Sequence, residues 1–205
     1  MKLYFVRHGQ SEANVQMIIS NRALPHSLTE LGRQQATALA QSLSSVQLTA
    51  FYASPIVRAR QTAEIVASLI DLPFEIADAL REPDCGIMEG RRDEAAWAEH
   101  DRVMYDWMLQ QKFDSCLAGG ESFHDLRARF GPFIDRLVAV HGDTDHNILL
   151  ITHGALLYLM LPTVLTNIDF AAVRELPMPN TGVIIVEKRA NDLICLEWCD
   201  VKLAD

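Results

Sequence analysis

The chain has 205 residues, 49% of them hydrophobic and 22% charged, and this composition is typical of a globular protein with a substantial core. Its formal net charge of −9 disfavours binding to nucleic acid or to an anionic membrane surface, so an anionic ligand would need a local group of cations. The four cysteines have neither CxxC nor zinc-ligand spacing, which favours reduced thiols in a cytoplasmic protein.

Strand and helix patterns alternate along the chain. In chain order we expect a strand over 3–6, a helix over 29–43, a strand over 48–53, a helix over 54–70, a short strand over 74–77, a helix over 93–111, a helix from 122, a strand over 147–152, a helix to about 161, and a hairpin of strands over 183–187 and 193–198. The alternation predicts an α/β fold, a three-layer α/β/α sandwich with a mostly parallel central sheet, in one domain over residues 1–205.

Two helix starts carry capping signals. Ser54-Pro55 is typical of an N-cap followed by proline at the first helical position. Ser122 and Asp125 have the spacing of a capping box. These signals predict where the second and fourth long helices begin.

Residues 148–165 form the one apolar stretch that resembles a membrane span. A span would place His153 in lipid at a free-energy cost, and Pro162 lies near its end. We therefore expect a buried strand, a turn and a buried helix, and no contact with a membrane.

The candidate functional residues lie where predicted strands end, which is where α/β sheets bind ligands. Arg7 and His8 follow the first strand, Arg58 lies in the first turn of a helix, and His153 follows a later strand. Considered singly, each histidine could be bonded to backbone and Arg58 could be an exposed arginine. An arginine in a first turn opposes the helix dipole unless an anion is bound nearby.

Together these residues suit phosphoryl transfer, which needs a nucleophile, cations around the phosphoryl oxygens and a proton for the leaving group. Neutral His8 is a competent nucleophile, and Arg7 and Arg58 would neutralise the phosphate. His153 would donate a hydrogen bond to it. Glu82 would protonate the leaving group and then activate water, although as a single residue it is better explained as a loop carboxylate.

Seven segments in order resemble the histidine phosphatase superfamily, with its phosphoglycerate-mutase-like fold. They are Arg7-His8-Gly9-Gln10-Ser11-Glu12-Ala13-Asn14, Leu28-Thr29-Glu30-Leu31-Gly32, Ser54-Pro55-x-x-Arg58-Ala59-x-Gln61-Thr62, Leu80-Arg81-Glu82 with Gly86 and Glu89-Gly90, Gly120-Glu121-Ser122, Thr152-His153-Gly154 and Pro179-Asn180-Thr181. The resemblance implies that His8 is phosphorylated, that Arg7, Arg58 and His153 form the phosphate pocket, and that Glu82 is the acid and base.

The same resemblance suggests further phosphate-binding groups. Asn14 matches a residue that contacts the transferred phosphoryl group, and Gly154 would offer its amide. Gln10 and Ser11 belong to the first motif and are expected to bind phosphate with them.

The sequence differs from the mutases of this family in three ways, which favour a phosphatase. Ala13 stands where mutases usually have Trp, Cys85 stands where they tend to have Tyr, and the chain is shorter between Gly90 and Gly119. We therefore predict a metal-independent hydrolase of phosphate monoesters that needs no cofactor. A phosphoglycerate mutase and a non-catalytic phosphometabolite-binding protein remain the alternatives.

A metal site formed by His8, His153 and Glu82 is disfavoured because the flanking arginines would repel a cation.

The segment over 91–122 resembles the family's substrate-covering cap. Its candidate substrate contacts are Trp97, His100, Tyr105, Trp107 and Phe113, although the stripe of Trp97, Met104 and Met108 is more typical of core. The sequence predicts a small-molecule phosphate ester, leaves a phosphoprotein open, and names no substrate. The apolar strand over 183–186 could be the edge of a homodimer, but an internal sheet strand would have the same pattern, so the oligomeric state is left open.

Overall fold

The computed structural model describes residues 1–22 and 24–203. The strands are β1 (Lys2–Arg7), β2 (Leu48–Ala53), β3 (Glu75–Ile76), β4 (Asn147–Thr152), β5 (Val183–Arg189), β6 (Asp192–Trp198) and β7 (Val201–Lys202). The α-helices are α1 (Glu12–Gln16), α2 (Glu30–Ser42), α3 (Val57–Ile70), α4 (Glu94–Met108), α5 (Phe123–His141), α6 (Gly154–Met160) and α7 (Phe170–Val173). Most of these elements match the predicted ones to within a few residues.

The seven described strands form one mixed sheet in the order β3-β2-β4-β1-β5-β6-β7. Strands β1 to β4 pair in parallel, as predicted, whereas β5, β6 and β7 add to it through antiparallel pairs. In the parallel half, Arg7 of β1 lies opposite Thr152 of β4. The chain therefore leaves the sheet at two adjacent points, once into His8 and once into His153.

Helices cover both faces of the sheet, which confirms the three-layer arrangement. Side chains alternate along β1, so that Leu3 and Phe5 pack into a core that includes α5 and α6, whereas Tyr4 and Val6 pack against α2 and α3. Because β5 lies between β1 and β6, the stretch over 183–186 is an interior strand. Of the two interpretations that the sequence left open for this stretch, the internal sheet strand is the observed one, and the stretch offers no free edge.

The predicted start of α3 was wrong. The helix begins at Val57, with Ile56 as its N-cap, rather than at Ser54-Pro55. The hydroxyl Oγ of Ser54 lies 3.3 Å from the backbone nitrogen of Ile56 and 2.7 Å from Nε2 of His153. Ser54 therefore serves a buried histidine instead of a helix terminus.

The other start signal is confirmed. Ser122 Oγ accepts the Asp125 amide at 3.2 Å and Asp125 Oδ2 accepts the Ser122 amide at 2.9 Å, so both halves of the capping box are present at the start of α5. Residues 148–165 contain β4, the short helix α6 and a 3-10 turn. Within the described residues, no helix combines the length and the apolar character needed to cross a bilayer.

Candidate active site

His8 lies at the end of β1 and is almost completely buried. Its Nδ1 is 2.7 Å from the carbonyl oxygen of Gly9, and its Nε2 is 2.8 Å from Nε of Arg58. A guanidinium can only donate and a carbonyl can only accept, so Nδ1 carries the proton and Nε2 presents its lone pair. Burial, followed by the positive charges of Arg58 and Arg7, lowers the pKa of His8 well below its usual value. His8 is therefore a neutral imidazole whose Nε2 lone pair accepts from Arg58 and would become free to react once a bound phosphate takes up that N–H.

Arg58 lies beside that lone pair, in the first turn of α3, and is 5% exposed. Its other nitrogens donate to the carbonyl of Ser20 and, at 3.4 Å, to Oδ1 of Asn21. Burial lowers the pKa of Arg58 to about 10, while the charge of Glu82 opposes that shift. The guanidinium is therefore still charged at neutral pH.

Arg7 supplies a second cation to the same cavity. Its NH1 donates to the carbonyl of Met178 at 2.6 Å, and its buried Nε has no acceptor among the described residues. A Cβ on Gly154 would lie 3.5 Å from that Nε, so Arg7 passes close to the start of α6. Two guanidinium groups and a helix N-terminus thus converge on the space next to His8, an arrangement suited to a phosphate.

Arg7, His8 and Arg58 form the floor of the cavity. His153 lies behind this floor and is fully buried. Its ring centroid is 5.1 Å from that of His8, and its Nε2 bonds to Oγ of Ser54 while its Nδ1 has no partner among the described residues. Burial, followed by the positive charge of Arg58, lowers its pKa well below the usual value. Neutral His153 is fixed next to the nucleophile rather than exposed to the cavity.

Glu82 lines the cavity from the loop that follows β3. Its two carboxylate oxygens accept the backbone amides of Ala155 and Leu156 at 3.1 and 2.9 Å. The first turn of α6 therefore holds this carboxylate in place, next to both arginines.

Asn14 lines the opposite side of the cavity, from α1. Its Oδ1 accepts the backbone amide and the hydroxyl of Ser11, both at 3.0 Å. Since Oδ1 is occupied in this way, the carboxamide NH₂ is the part of Asn14 that can serve a ligand.

The turn that carries His8 is held in place by contacts with distant parts of the chain. A Cβ on Gly9 would lie 2.5 Å from the carbonyl oxygen of Gly32, so only glycine fits this crossing of two backbone segments. The Gly9 amide donates to Oγ1 of Thr62 at 3.1 Å, and Asn180 Nδ2 donates to the His8 carbonyl at 3.0 Å. Contacts from three other parts of the chain therefore position the nucleophile.

The cavity above this floor has a volume of about 380 Å³. Its lining mixes polar and apolar groups: Ile18, Ile19, Tyr158 and Met178 contribute apolar surface, Ser20 and Asn21 contribute polar groups, and Trp97 and His100 lie at its rim. The size suits a small organic ester.

A profile of the family described as histidine phosphatase superfamily (branch 1) matches residues 3–201. The chain belongs to the histidine phosphatase superfamily. Several of the residues that carried the resemblance line this cavity, namely Arg7, His8, Ala13, Asn14, Arg58, Glu82 and Gly154.

Curated relatives of this superfamily member include both phosphatases and mutases. It is 30% identical to a putative phosphoserine phosphatase of Hydrogenobacter thermophilus, over 89% of this chain and 87% of that protein. It is 28% identical to a probable phosphoglycerate mutase of Proteus mirabilis, over 97% and 90%. A probable phosphatase of Schizosaccharomyces pombe is 30% identical over 79% of this chain, and there the match spans only 56% of the relative's length.

Among solved structures, the mycobacterial glucosyl-3-phosphoglycerate phosphatase complexed with vanadate resembles this superfamily member closely in fold. The TM-score is 0.82 at 27% identity, with 98% of this chain and 99% of that chain covered. The fold predicted from the sequence is therefore confirmed.

Gln10 and Ser11 are not placed where the sequence suggested. Oε1 of Gln10 accepts the Thr29 hydroxyl at 2.8 Å, and Ser11 is fully buried as the N-cap of α1. Neither side chain lines the cavity, because both are used to anchor the turn after His8. Direct phosphate binding by these two residues was a wrong expectation.

The aromatic residues of the cap segment fall into two groups, those that line the cavity and those that do not. Trp97 and His100 line the cavity, and Trp97 also packs against the core together with Met104 and Met108, as its stripe predicted. Trp107 is buried in core, Phe113 stacks on Phe123 with centroids 4.3 Å apart, and Tyr105 is half exposed on the outer side of α4. The sequence could not assign these faces because α4 packs on loops whose course it does not specify.

Asn21 is the site residue that the sequence analysis missed. It lines the cavity, accepts from Arg58, and donates through Nδ2 to Sγ of Cys85 at 3.1 Å. Burial raises the pKa of the Cys85 thiol to about 12, so this sulfur stays protonated and does not compete with His8 as a nucleophile. Over 1–22 and 24–203, no three His, Cys, Asp or Glu side chains are grouped as metal ligands.

Proposed function

We propose that this protein hydrolyses phosphate monoesters without a metal, through a phosphoryl group carried on Nε2 of His8. The observation that carries the proposal is the orientation of the His8 ring: Nδ1–H is fixed to the Gly9 carbonyl, and the Nε2 lone pair lies against the Arg58 guanidinium. A phosphate that binds between Arg7 and Arg58 is therefore presented to a neutral nucleophile.

In the first step the Nε2 lone pair of His8 attacks phosphorus, and the bond from phosphorus to the ester oxygen breaks. Glu82, in its protonated form, gives its proton to the leaving oxygen, so the alcohol departs uncharged. Arg7 and Arg58 neutralise the phosphoryl oxygens. The Gly9 carbonyl supports the positive charge that the ring gains when the P–N bond forms.

In the second step water attacks phosphorus, and the Glu82 carboxylate takes a proton from that water. The P–N bond breaks, its electron pair returns to Nε2, and inorganic phosphate leaves. His8 and Glu82 are both restored. The amides of Ala155 and Leu156 keep the carboxylate in place through both steps.

Asn14 completes the proposed phosphate site, and His153 supports it from behind. His153 orients the floor through its bond to Ser54, and the NH₂ group of Asn14 reaches the phosphoryl oxygens. All the groups that the chemistry requires are present, which disfavours a purely binding protein. The cytoplasmic location stays a prediction.

The test follows hydrolysis of 4-nitrophenyl phosphate in the presence of EDTA, between about pH 5 and 8, for the native chain and for His8→Gln. His124→Gln, a change at an exposed histidine on α5, is the matched control. We expect chelator-resistant turnover in the native chain and the control, and none in His8→Gln.

The reaction is also quenched with alkali and the protein analysed for bound phosphate. A label that survives alkali, is lost in acid and is absent from His8→Gln supports the phosphohistidine route. Turnover that survives in His8→Gln, or that stops with EDTA, refutes it.

A further inference from the structure

We propose that the alcohol part of the substrate carries no second anionic group and presents an apolar ring to Trp97, which makes Trp97 a specificity-determining residue. This inference rests on the proposed phosphatase function. Its two parts come from the charges that line the cavity and from the way in which the Trp97 indole is held.

The lining is charged only at its floor. Among the described residues that line the cavity, Arg7 and Arg58 are the lysine or arginine side chains, and both lie beside His8. Two guanidinium groups balance one phosphate dianion. A second phosphate or a carboxylate on the substrate would find no further lysine or arginine among the described lining residues, where Glu82 adds a negative charge.

Two arginines near the cavity are already paired with carboxylates. Nε of Arg22 donates to both oxygens of Asp84 at 2.8 and 2.9 Å, and Arg91 bonds Asp93 at 2.6 and 2.9 Å. Neither arginine lines the cavity. Recruiting one of them to a second anion would break an existing ion pair.

The indole of Trp97 is ordered before any ligand arrives. Its Nε1 donates to the backbone carbonyl of Met17 at 2.8 Å, and the ring of His100 meets it in an edge-on contact with centroids 5.0 Å apart. A large aromatic surface fixed in this way binds a ring at little further cost in conformational entropy. The apolar walls formed by Ile18, Ile19 and Tyr158 extend the same surface.

The proposed substrate differs from the substrates in the names of the relatives. Phosphoserine and phosphoglycerate both carry a carboxylate on the alcohol part, and among the described lining residues no lysine or arginine beyond Arg7 and Arg58 is present to bind it. The proposal also disfavours mutase activity, because a phosphoglycerate mutase must hold a substrate with further anionic groups.

The experiment compares matched esters on the native chain in EDTA. Benzyl and n-propyl phosphate have similar alkyl leaving groups and differ in the ring, whereas phenyl and 3-carboxyphenyl phosphate differ in the second anion. We expect kcat/KM at least tenfold higher for benzyl than for propyl phosphate, and at least tenfold higher for phenyl than for 3-carboxyphenyl phosphate.

The variants tie the preference to one side chain. Trp97→Ala is expected to lower kcat/KM for benzyl phosphate about tenfold more than for propyl phosphate, and Trp97→Phe to retain most of the ring preference. Tyr105→Ala, a half-exposed aromatic on the same helix outside the cavity, is the matched control and keeps the native ratio.

Equal kcat/KM for benzyl and propyl phosphate in the native chain, equal losses in Trp97→Ala, or a preference for the carboxylated ester would overturn the inference. Those results leave the proposed function intact if hydrolysis of propyl phosphate still disappears in His8→Gln. If the native chain hydrolyses none of the four esters, the proposed function and this inference fail together.

Discussion

The two histidines of the site occupy similar positions at strand ends but have different surroundings. Each follows a buried parallel strand, each precedes a glycine, and Arg7 before one lies opposite Thr152 before the other. Yet His8 has its Nε2 against Arg58 and lines the cavity, whereas His153 is fully buried against Ser54.

The partners that surround each turn account for the difference. After His8 the chain crosses the Gly32 backbone and runs into α1, which opens space over Nε2, whereas after His153 it enters α6 directly. One histidine is therefore presented to a ligand and the other supports the floor. A His-Gly dipeptide at a strand end indicates a site, but its neighbours in the fold assign the role.

The largest expected effect is a loss of turnover, and it should differ between substitutions of His8 and of His153. His8→Gln removes the nucleophile, and we expect turnover of 4-nitrophenyl phosphate to fall by a factor of about 10⁴ or more. His153→Gln removes a supporting group, and a loss of about 10²-fold is expected, with the phosphoenzyme still formed. Steady-state kinetics and alkaline quenching measure both. Equal losses, or a phosphoenzyme missing from both variants, would contradict the division of roles.

The second prediction compares the two glycines. A Cβ at Gly9 would meet backbone at 2.5 Å, whereas one at Gly154 would be 3.4 Å or more from flexible side chains. We expect Gly9→Ala to lower the free energy of unfolding by about 3 kcal/mol and Gly154→Ala by no more than about 1 kcal/mol. Urea unfolding measures both, with Gly131→Ala, where nothing lies within 4 Å, as the control. A tolerated Gly9→Ala would show that the crossing with Gly32 is not tight.

The third prediction addresses the support of His153. Ser54→Ala would leave both ring nitrogens of this buried histidine without a partner among the described residues, which costs about 1–3 kcal/mol of unfolding free energy. Ser68→Ala, an exposed serine on α3 bonded only to the carbonyl of Ile65, should change stability by no more than about 0.5 kcal/mol. Chemical unfolding of the two variants decides whether the Ser54 bond matters.

The last prediction is a dependence of stability on pH. Because both histidines have lowered pKa values in the folded chain, the unfolded chain binds protons first as pH falls below about 6.5. Stability should therefore fall with decreasing pH below about 6.5, by up to about 1.4 kcal/mol per pH unit for each histidine. Above that pH these two groups contribute no slope.

The comparison that tests this is urea unfolding at several pH values from 5 to 8. His153→Gln should have a shallower acidic slope than the native chain, by the contribution of one histidine. His124→Gln, at the surface, should keep the native slope. Parallel curves for the native chain and His153→Gln would mean that His153 takes up its proton in the folded state as well.

Local patterns predicted the elements and the floor of the site well. Alternation along β1, the capping box at Ser122 and the strand-end motifs depend on residues near one another in the chain, so one sequence carries the information. Arg7, His8, Arg58 and Glu82 come together because parallel strands end at one edge of the sheet. The family resemblance supplied their roles.

The errors occurred where a side chain is used by a distant segment. Ser54 had the local signature of a helix cap, but buried His153 has no other partner for its Nε2 and takes the hydroxyl. Gln10 is used by Thr29, and Asn21 joins the site through Arg58 and Cys85. Trp97 had the spacing of a core residue, and its Nε1 also donates to the carbonyl of Met17, which holds the indole beside the cavity. None of these pairings has a sequence spacing that reveals it.

The three tryptophans of the chain differ in what surrounds them. Trp107 and Trp198 are 2% and 0% exposed, whereas Trp97 is half-buried at the rim of the cavity. Indole fluorescence from the first two is shielded from solvent, while that of Trp97 changes when a ring displaces water from its face. The unlabelled protein therefore carries its own optical reporter of occupancy, and a titration can follow compounds that bind without being turned over.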